Sequence, residues 1–107
     1  FGDSVGTIKN VILDSSCSFT SSGTGGSIYI GGIIGYGSSN DYSYSVDSCI
    51  NLGSVTFAGS QSSGILYIGG IAGYLNSNAN IINCANIGVI KHIGYTYGYA
   101  HIGGIVG

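Results

Sequence analysis

Three cysteines, two histidines, four aspartates and nine tyrosines are the side chains of this chain whose chemistry could react, coordinate or bind. Cys17, Cys49 and Cys84 show no Cys-x-x-Cys spacing, so no metal site is signalled. Cys49 and Cys84 each open a Cys-x-Asn-x-Gly frame, which places them in one column of a repeat. Two residues of one column in stacked strands lie ~4.8 Å apart, a separation that a disulfide tolerates and that equally suits a ladder of buried thiols. The ladder is preferred, because Val11 fills that column in the first copy and Cys behaves as a small hydrophobe. His92 or His101 could serve as a base with an Asp and a Ser, but no spacing selects the Ser or supplies an orienting carboxylate. His101 falls in the column of Tyr29 and Tyr67, which predicts an outward or stacking ring. Asp3, Asp14, Asp41 and Asp47 share no column, and there is neither Glu nor Arg to complete the clustered constellation that sugar-cleaving sites require. No catalytic residue, cofactor or metal is therefore expected, and the chain reads as a non-enzyme.

Tyrosine is the residue type with a functional edge. Tyr29 and Tyr67 share one column, Tyr36 and Tyr74 another, while Tyr95, Tyr97 and Tyr99 are expected to alternate along one strand face, and Tyr42 and Tyr44 alternate with Ser43 and Ser45. Such rows either cover a sheet or offer rigid apolar faces with polar tips to a glycan or a neighbouring chain. Gly31-Gly32 and its copies match no phosphate-loop pattern and suit a bend or a close approach between layers. Asn51 and Asn86 predict an internal ladder of stacked amides. No Asn-x-Ser/Thr sequon is present, so N-glycans are not expected, and O-linked sugars on turn Ser and Thr are left open by the sequence.

The elements that would position these residues are repeats. Gly26 to Gly35, Gly64 to Gly73 and Gly98 to Gly107 align on Ile-Gly-Gly-Ile, at spacings of 38 and 34 residues. Within each block apolar residues such as Ile28 and Ile30 alternate with Tyr29, the period of a strand with one buried face. Between the blocks, Asp47 to Val55 parallels Ile82 to Ile90. In the first copy two alignments compete, and the preferred one puts Val11 in the column of Cys49 and Cys84, moves Cys17 into the column of Val55 and Ile90, and pairs Ser18-Phe19 with Thr56-Phe57. The surplus residues are assigned to surface turns: Thr20 to Gly25, Gly59 to Ser63 and the longest, Gly37 to Ser45.

Composition agrees with a scaffold. Glycine accounts for 21 residues and charged residues for only 6%, far from an ordinary enzyme surface. Ile and aromatic content argues against disorder. A net charge of −2 makes no basic footprint for nucleic acid or anionic membranes, and no apolar run approaches the ~20 residues that span a bilayer. Phe1-Gly2 is in the same phase as Ile34-Gly35 and Val106-Gly107, so a segment of a longer array is expected.

Gly-Gly-Ile-x-Gly-Tyr, a short polar turn, then Ile-x-Asn-Cys-x-Asn-x-Gly-x-Ile or Gly-Thr-Ile-Lys-Asn-Val resembles the GLUG-type repeat of bacterial and protist surface proteins. The resemblance covers nearly the whole chain and implies extracellular, array-forming β structure of adhesin or stalk type, with no activity. Cys17 and the tyrosine content depart from that pattern.

The expectation is thus a single all-β array over residues 1–107, a parallel β-solenoid (β-helix-like) of three repeats of ~35 residues, at 3–35, 36–73 and 74–107. Whether a repeat makes one wide coil or two narrow ones is open in the sequence. The expected role is a structural segment of an extracellular or cell-surface filament, stalk or adhesin, forming a homo-oligomer or filament through its chain ends. The alternative is a carbohydrate-binding module using tyrosine rows.

Overall fold

The computed structural model describes residues 3–4, 6–38, 43–76 and 78–107, the first pair by backbone alone. The strands are β1 (Asp3–Ser4), β2 (Thr7–Lys9), β3 (Ile12–Leu13), β4 (Ser18–Ser21), β5 (Ile28–Gly31), β6 (Ile34–Gly37), β7 (Tyr44–Asp47) and β8 (Ile50–Asn51). They continue with β9 (Ser54–Gln61), β10 (Ile65–Gly69), β11 (Ala72–Leu75), β12 (Ala79–Ile82), β13 (Ala85–Asn86), β14 (Ile90–Thr96) and β15 (Tyr99–Gly103). Each pairs in parallel with the strand five places on, giving five three-stranded sheets: β1-β6-β11, β2-β7-β12, β3-β8-β13, β4-β9-β14 and β5-β10-β15. The fold is a parallel β-solenoid. Each pass of the chain visits all five sheets once, so a repeat is one wide coil. The extents of 34 × 34 × 16 Å fit that shape, broad across the coil and short along the stack.

Like residues stack because parallel pairing superposes columns. Ile30, Ile68 and Ile102 form one, Tyr29, Tyr67 and His101 the next. The strands are short because the chain must turn five times per coil, and the corners show how. Asn10, Ser48 and Asn83 adopt φ of 58°, 55° and 52°, each one residue before Val11, Cys49 and Cys84. Asn tolerates this left-handed conformation better than most side chains, which explains its recurrence there. At the Gly-Gly-Ile corner the amides of Ile33 and Ile34 both donate to the Ile71 carbonyl, at 2.9 and 3.0 Å. Those of Ile71 and Ala72 both donate to Ile105, at 2.9 Å each.

Inward-facing side chains form two clusters. One gathers Ile8, Ile33, Ile34, Val46, Cys49, Ile71 and Ala72; the other gathers Ile30, Val55, Phe57, Leu66 and Ile68. Between them the Asn51 amide crosses the coil and donates to the Gly70 carbonyl at 2.9 Å. Glycine is required opposite it, since a Cβ on Gly32 would sit 2.7 Å from Asn51 Nδ2. The wide coil is therefore waisted where the Gly-Gly corner meets the Asn corner.

Several expected boundaries move. Val11 does share the column of Cys49 and Cys84, since Ile12 pairs with Ile50. Cys17 does not share the column of Val55: Ser18 pairs with Ser54 and Phe19 with Val55, which sets Cys17 opposite Gly53. Two extra residues are taken up in a turn where Asp14 accepts from the amides of Ser16 and Cys17, both at 2.9 Å. The next loop is two residues shorter than its counterpart, so the shifts cancel by Gly31 and hid each other in the sequence. The expected turn at Gly59 to Ser63 is strand as far as Gln61, and β4 likewise extends to Ser21. The long Gly37 to Ser45 loop ends earlier than expected, with β7 starting at Tyr44.

Candidate functional site

The Gly-Gly-Ile corner folds β6 back beside β5 and β11 beside β10, and that brings two tyrosine columns together. Tyr29 lies 5.2 Å from Tyr67 and Tyr36 lies 5.4 Å from Tyr74, ring centroid to centroid, each pair nearly parallel. Across the corner Tyr29 meets Tyr36 at 4.8 Å and 56°, and Tyr67 meets Tyr74 at 5.3 Å and 72°. His101 caps the first column, stacked on Tyr67 at 4.9 Å and 9°. The sequence identified both columns but not their union. Since these rings are half-buried and spend their faces on one another, they offer a sugar little beyond edges and hydroxyls.

Tyr95, Tyr97 and Tyr99 are different. They are 59%, 76% and 74% exposed, though not along one strand: Tyr95 is on β14, Tyr97 at the following bend and Tyr99 on β15. Tyr95 stands in the column of Ser60, and Ile93 in that of Ala58. Aromatic and branched residues therefore project from the third coil beside small ones on the second, making an apolar flank around one corner. Tyr95 and Tyr97 touch edge to face at 4.7 Å.

The other two tyrosines of the expected contact set do not join this flank. Tyr42 lies outside the described residues. Tyr44 is only 3% exposed, its hydroxyl held by the Gly37 carbonyl and accepting from the Asn76 amide at 3.2 Å. It is a core phenol and no surface contact, because β7 begins with it and its side chain falls on the inward face. Burial pushes its pKa up.

The cysteines are free thiols. Cys49 Sγ lies 3.3 Å from the Asp47 carbonyl, and Cys84 Sγ lies 3.3 Å from both the Val46 and Ile82 carbonyls, so each thiol caps its own corner and the pair forms a ladder. Burial raises the pKa of Cys84. Asn51 and Asn86 stack as expected, with Asn51 Nδ2 3.0 Å from Asn86 Oδ1.

His92 occupies the column of Ser21 and Phe57, packs on Phe57 at 5.6 Å and bonds Thr96 Oγ1 at 3.1 Å. An open cavity of about 260 Å³ lies beside Phe19, Ser21, Tyr29 and Ile30 of the first coil. Lys9 pairs with Asp47 at 3.2 Å. The Ser48 hydroxyl, then Lys9, hold the Asp47 carboxyl below its ordinary range, while the Ser16 amide does so for Asp14. Among the described residues no group of three His, Cys, Asp or Glu side chains could hold a metal ion. No helix among them is long and apolar enough to cross a membrane.

One buried group escaped the sequence reading. Gln61 sits fully inside β9, donating through Nε2 to the Gly26 carbonyl, while its Oε1 has no hydrogen-bond partner among the described residues. A single Gln in a Ser-rich stretch carries no signal of burial. Compared with protein-family models, curated proteins and solved structures, the chain matches none.

Proposed function

We propose that this chain is a structural segment of an extracellular or cell-surface array, of the kind the GLUG-type repeat builds, serving as filament, stalk or adhesin. The reading rests above all on the in-register parallel ladders, in which Tyr29, Tyr67 and His101 and likewise Ile30, Ile68 and Ile102 superpose from coil to coil. Stacked coils of this sort gain rigidity from continuous backbone hydrogen bonding, and assembly through open ends extends it. Electron microscopy of the native material tests this. Ordered filaments, or rods projecting from a surface with an axial rise of ~4.8 Å per coil, are expected; scattered particles with no axial order would sink it.

The flank formed by Tyr95, Tyr97 and Tyr99 favours a second reading, binding of glycans through exposed tyrosine faces. Substituting the three residues with Ser separates the two. Loss of retention on immobilised polysaccharides with filaments intact supports sugar binding, whereas unchanged retention assigns the flank to contacts between chains.

A further inference from the structure

We propose that the tyrosine corner is an oxidative cross-linking site, in which Tyr29 couples to Tyr36 and Tyr67 to Tyr74 through ring carbons ortho to their hydroxyls. The co-reactant is a one-electron oxidant, such as a haem peroxidase with hydrogen peroxide. Each phenol gives up one electron and one proton to become a phenoxyl radical, with spin density on its ortho carbons. Two neighbouring radicals form a carbon–carbon bond. The hydrogens on the bonded carbons then leave as protons while both phenolic oxygens are reprotonated from water, restoring both aromatic rings. The chain loses two hydrogen atoms per bond, and one peroxide is reduced to two waters.

Three observations carry the proposal. Four phenols lie within 4.8–5.7 Å of at least two others, far closer than freely moving surface tyrosines would meet. Radical coupling outruns escape when the partner is already in contact, since the encounter has become intramolecular. The second observation is tilt. A biaryl joins its rings edge to edge with a twist, and the pairs across the corner are tilted by 56° and 72°, whereas those along the stack are face to face at 14° and 9°. Tyr29 and Tyr74 are also tilted, at 60°, but their centroids are farther apart, 5.7 Å against 4.8 and 5.3 Å, so the two corner pairs are the better placed for coupling. Third, all four rings are partly exposed, so an oxidant can reach them. The product would tie β5 to β6 and β10 to β11 across the corner. The inference does not depend on the filament reading.

Lys9 and Lys91, the only Lys or Arg residues of the chain, make the test direct, because trypsin leaves residues 10–91 as one peptide and separates them from 92–107, which holds the tilted Tyr95–Tyr97 pair. The full chain is oxidised with peroxidase and hydrogen peroxide, folded and in guanidinium, then digested and read by dityrosine fluorescence and mass. Folded chain is expected to yield peptide 10–91 lighter by two hydrogens per bond, with fragmentation mapping the links to Tyr29–Tyr36 and Tyr67–Tyr74. The denatured chain is expected to lose that selectivity. Tyr36→Phe with Tyr74→Phe keeps the rings while removing the phenoxyl partners, and is expected to lose most of the signal in that peptide with its circular dichroism unchanged. Bonds confined to 92–107, links along the stack, a Tyr29–Tyr74 link in place of the corner pairs, covalent dimers only, equal selectivity after denaturation, or no reaction would each overturn the assignment.

Discussion

Asn51 spans the interior with its amide, donating to Gly70 at 2.9 Å and to Asn86 at 3.0 Å while its Oδ1 accepts from the Gly53 amide at 2.9 Å. Truncation to Ala would leave the Gly53 amide and Gly70 carbonyl buried without these partners. At ~1–3 kcal/mol for each orphaned group, Asn51→Ala is expected to cost about 2–5 kcal/mol in denaturant unfolding. A loss below about 1 kcal/mol would mean the waist is held by packing alone. Titration behaves in two directions. Tyr44 and Cys84 have folded pKa values raised by burial, so their contributions are complete below the unfolded values, ~10 and ~8.5, and are lost as pH rises through the folded ones. Asp47 and Asp14 have lowered values, so theirs are present above ~3.9 and are lost as pH falls through the folded ones. Asp14 is exposed and Asp47, whose side chain keeps 20% of its accessible area, still reaches solvent, so the acid arm is expected to be shallow and the alkaline arm steeper. Unfolding midpoints across pH should show this, with Tyr44→Phe flattening the alkaline arm; an alkaline arm unchanged by that substitution would reject the role given to the phenol.

The corner is the element on which the coil depends. A Cβ on Gly70 would collide with the Asn86 side chain and the Gly104 carbonyl, whereas one on Gly104, the next residue of the same column, would meet nothing within 4 Å. Gly70→Ala is therefore expected to destabilise by ~3 kcal/mol or more, in the range of severe overpacking, while Gly104→Ala stays near neutral by thermal melting. Equal effects would show that glycine is needed for its conformational freedom and not for the approach of Asn. The paired glycines were legible as a bend or close approach from their recurrence alone. The Asn that approaches them was not, because Asn51 lies 19 residues from Gly70 and no local pattern joins the two.

For the whole molecule, stability should follow position along the stack. In each sheet the middle strand, β6 to β10, is paired on both sides, whereas the outer strands are paired on one. Native-state hydrogen exchange is expected to be slowest across β7, β9 and β10 and faster in β2 and β15, as in a nearest-neighbour array. Uniform protection would instead describe a single cooperative unit. Apolar exposure concentrates on the third coil, where Ile87, Val89, Ile93 and the three flanking tyrosines face outward. Exposed apolar side chains of this kind mark the surface on which a partner or glycan would be sought first.

What the sequence determined by itself was the column structure: Ile30 over Ile68, Tyr29 over Tyr67 under His101, Cys49 over Cys84, Asn51 over Asn86. Parallel stacking repeats the same environment at each step, so residues sharing a column acquire the same pattern and the pattern is visible in one dimension. What only the tertiary structure decided was how the columns are arranged around the coil. The corner angles bring Tyr29 to Tyr36, turn Tyr44 inward and drive Asn51 across to Gly70. Those angles are set by left-handed residues at the turns and by contacts between distant segments, which leave no periodic trace. The register of Cys17 was hidden for a related reason: two extra residues in one turn and two fewer in the next cancel, and only backbone pairing reveals where the shift lies.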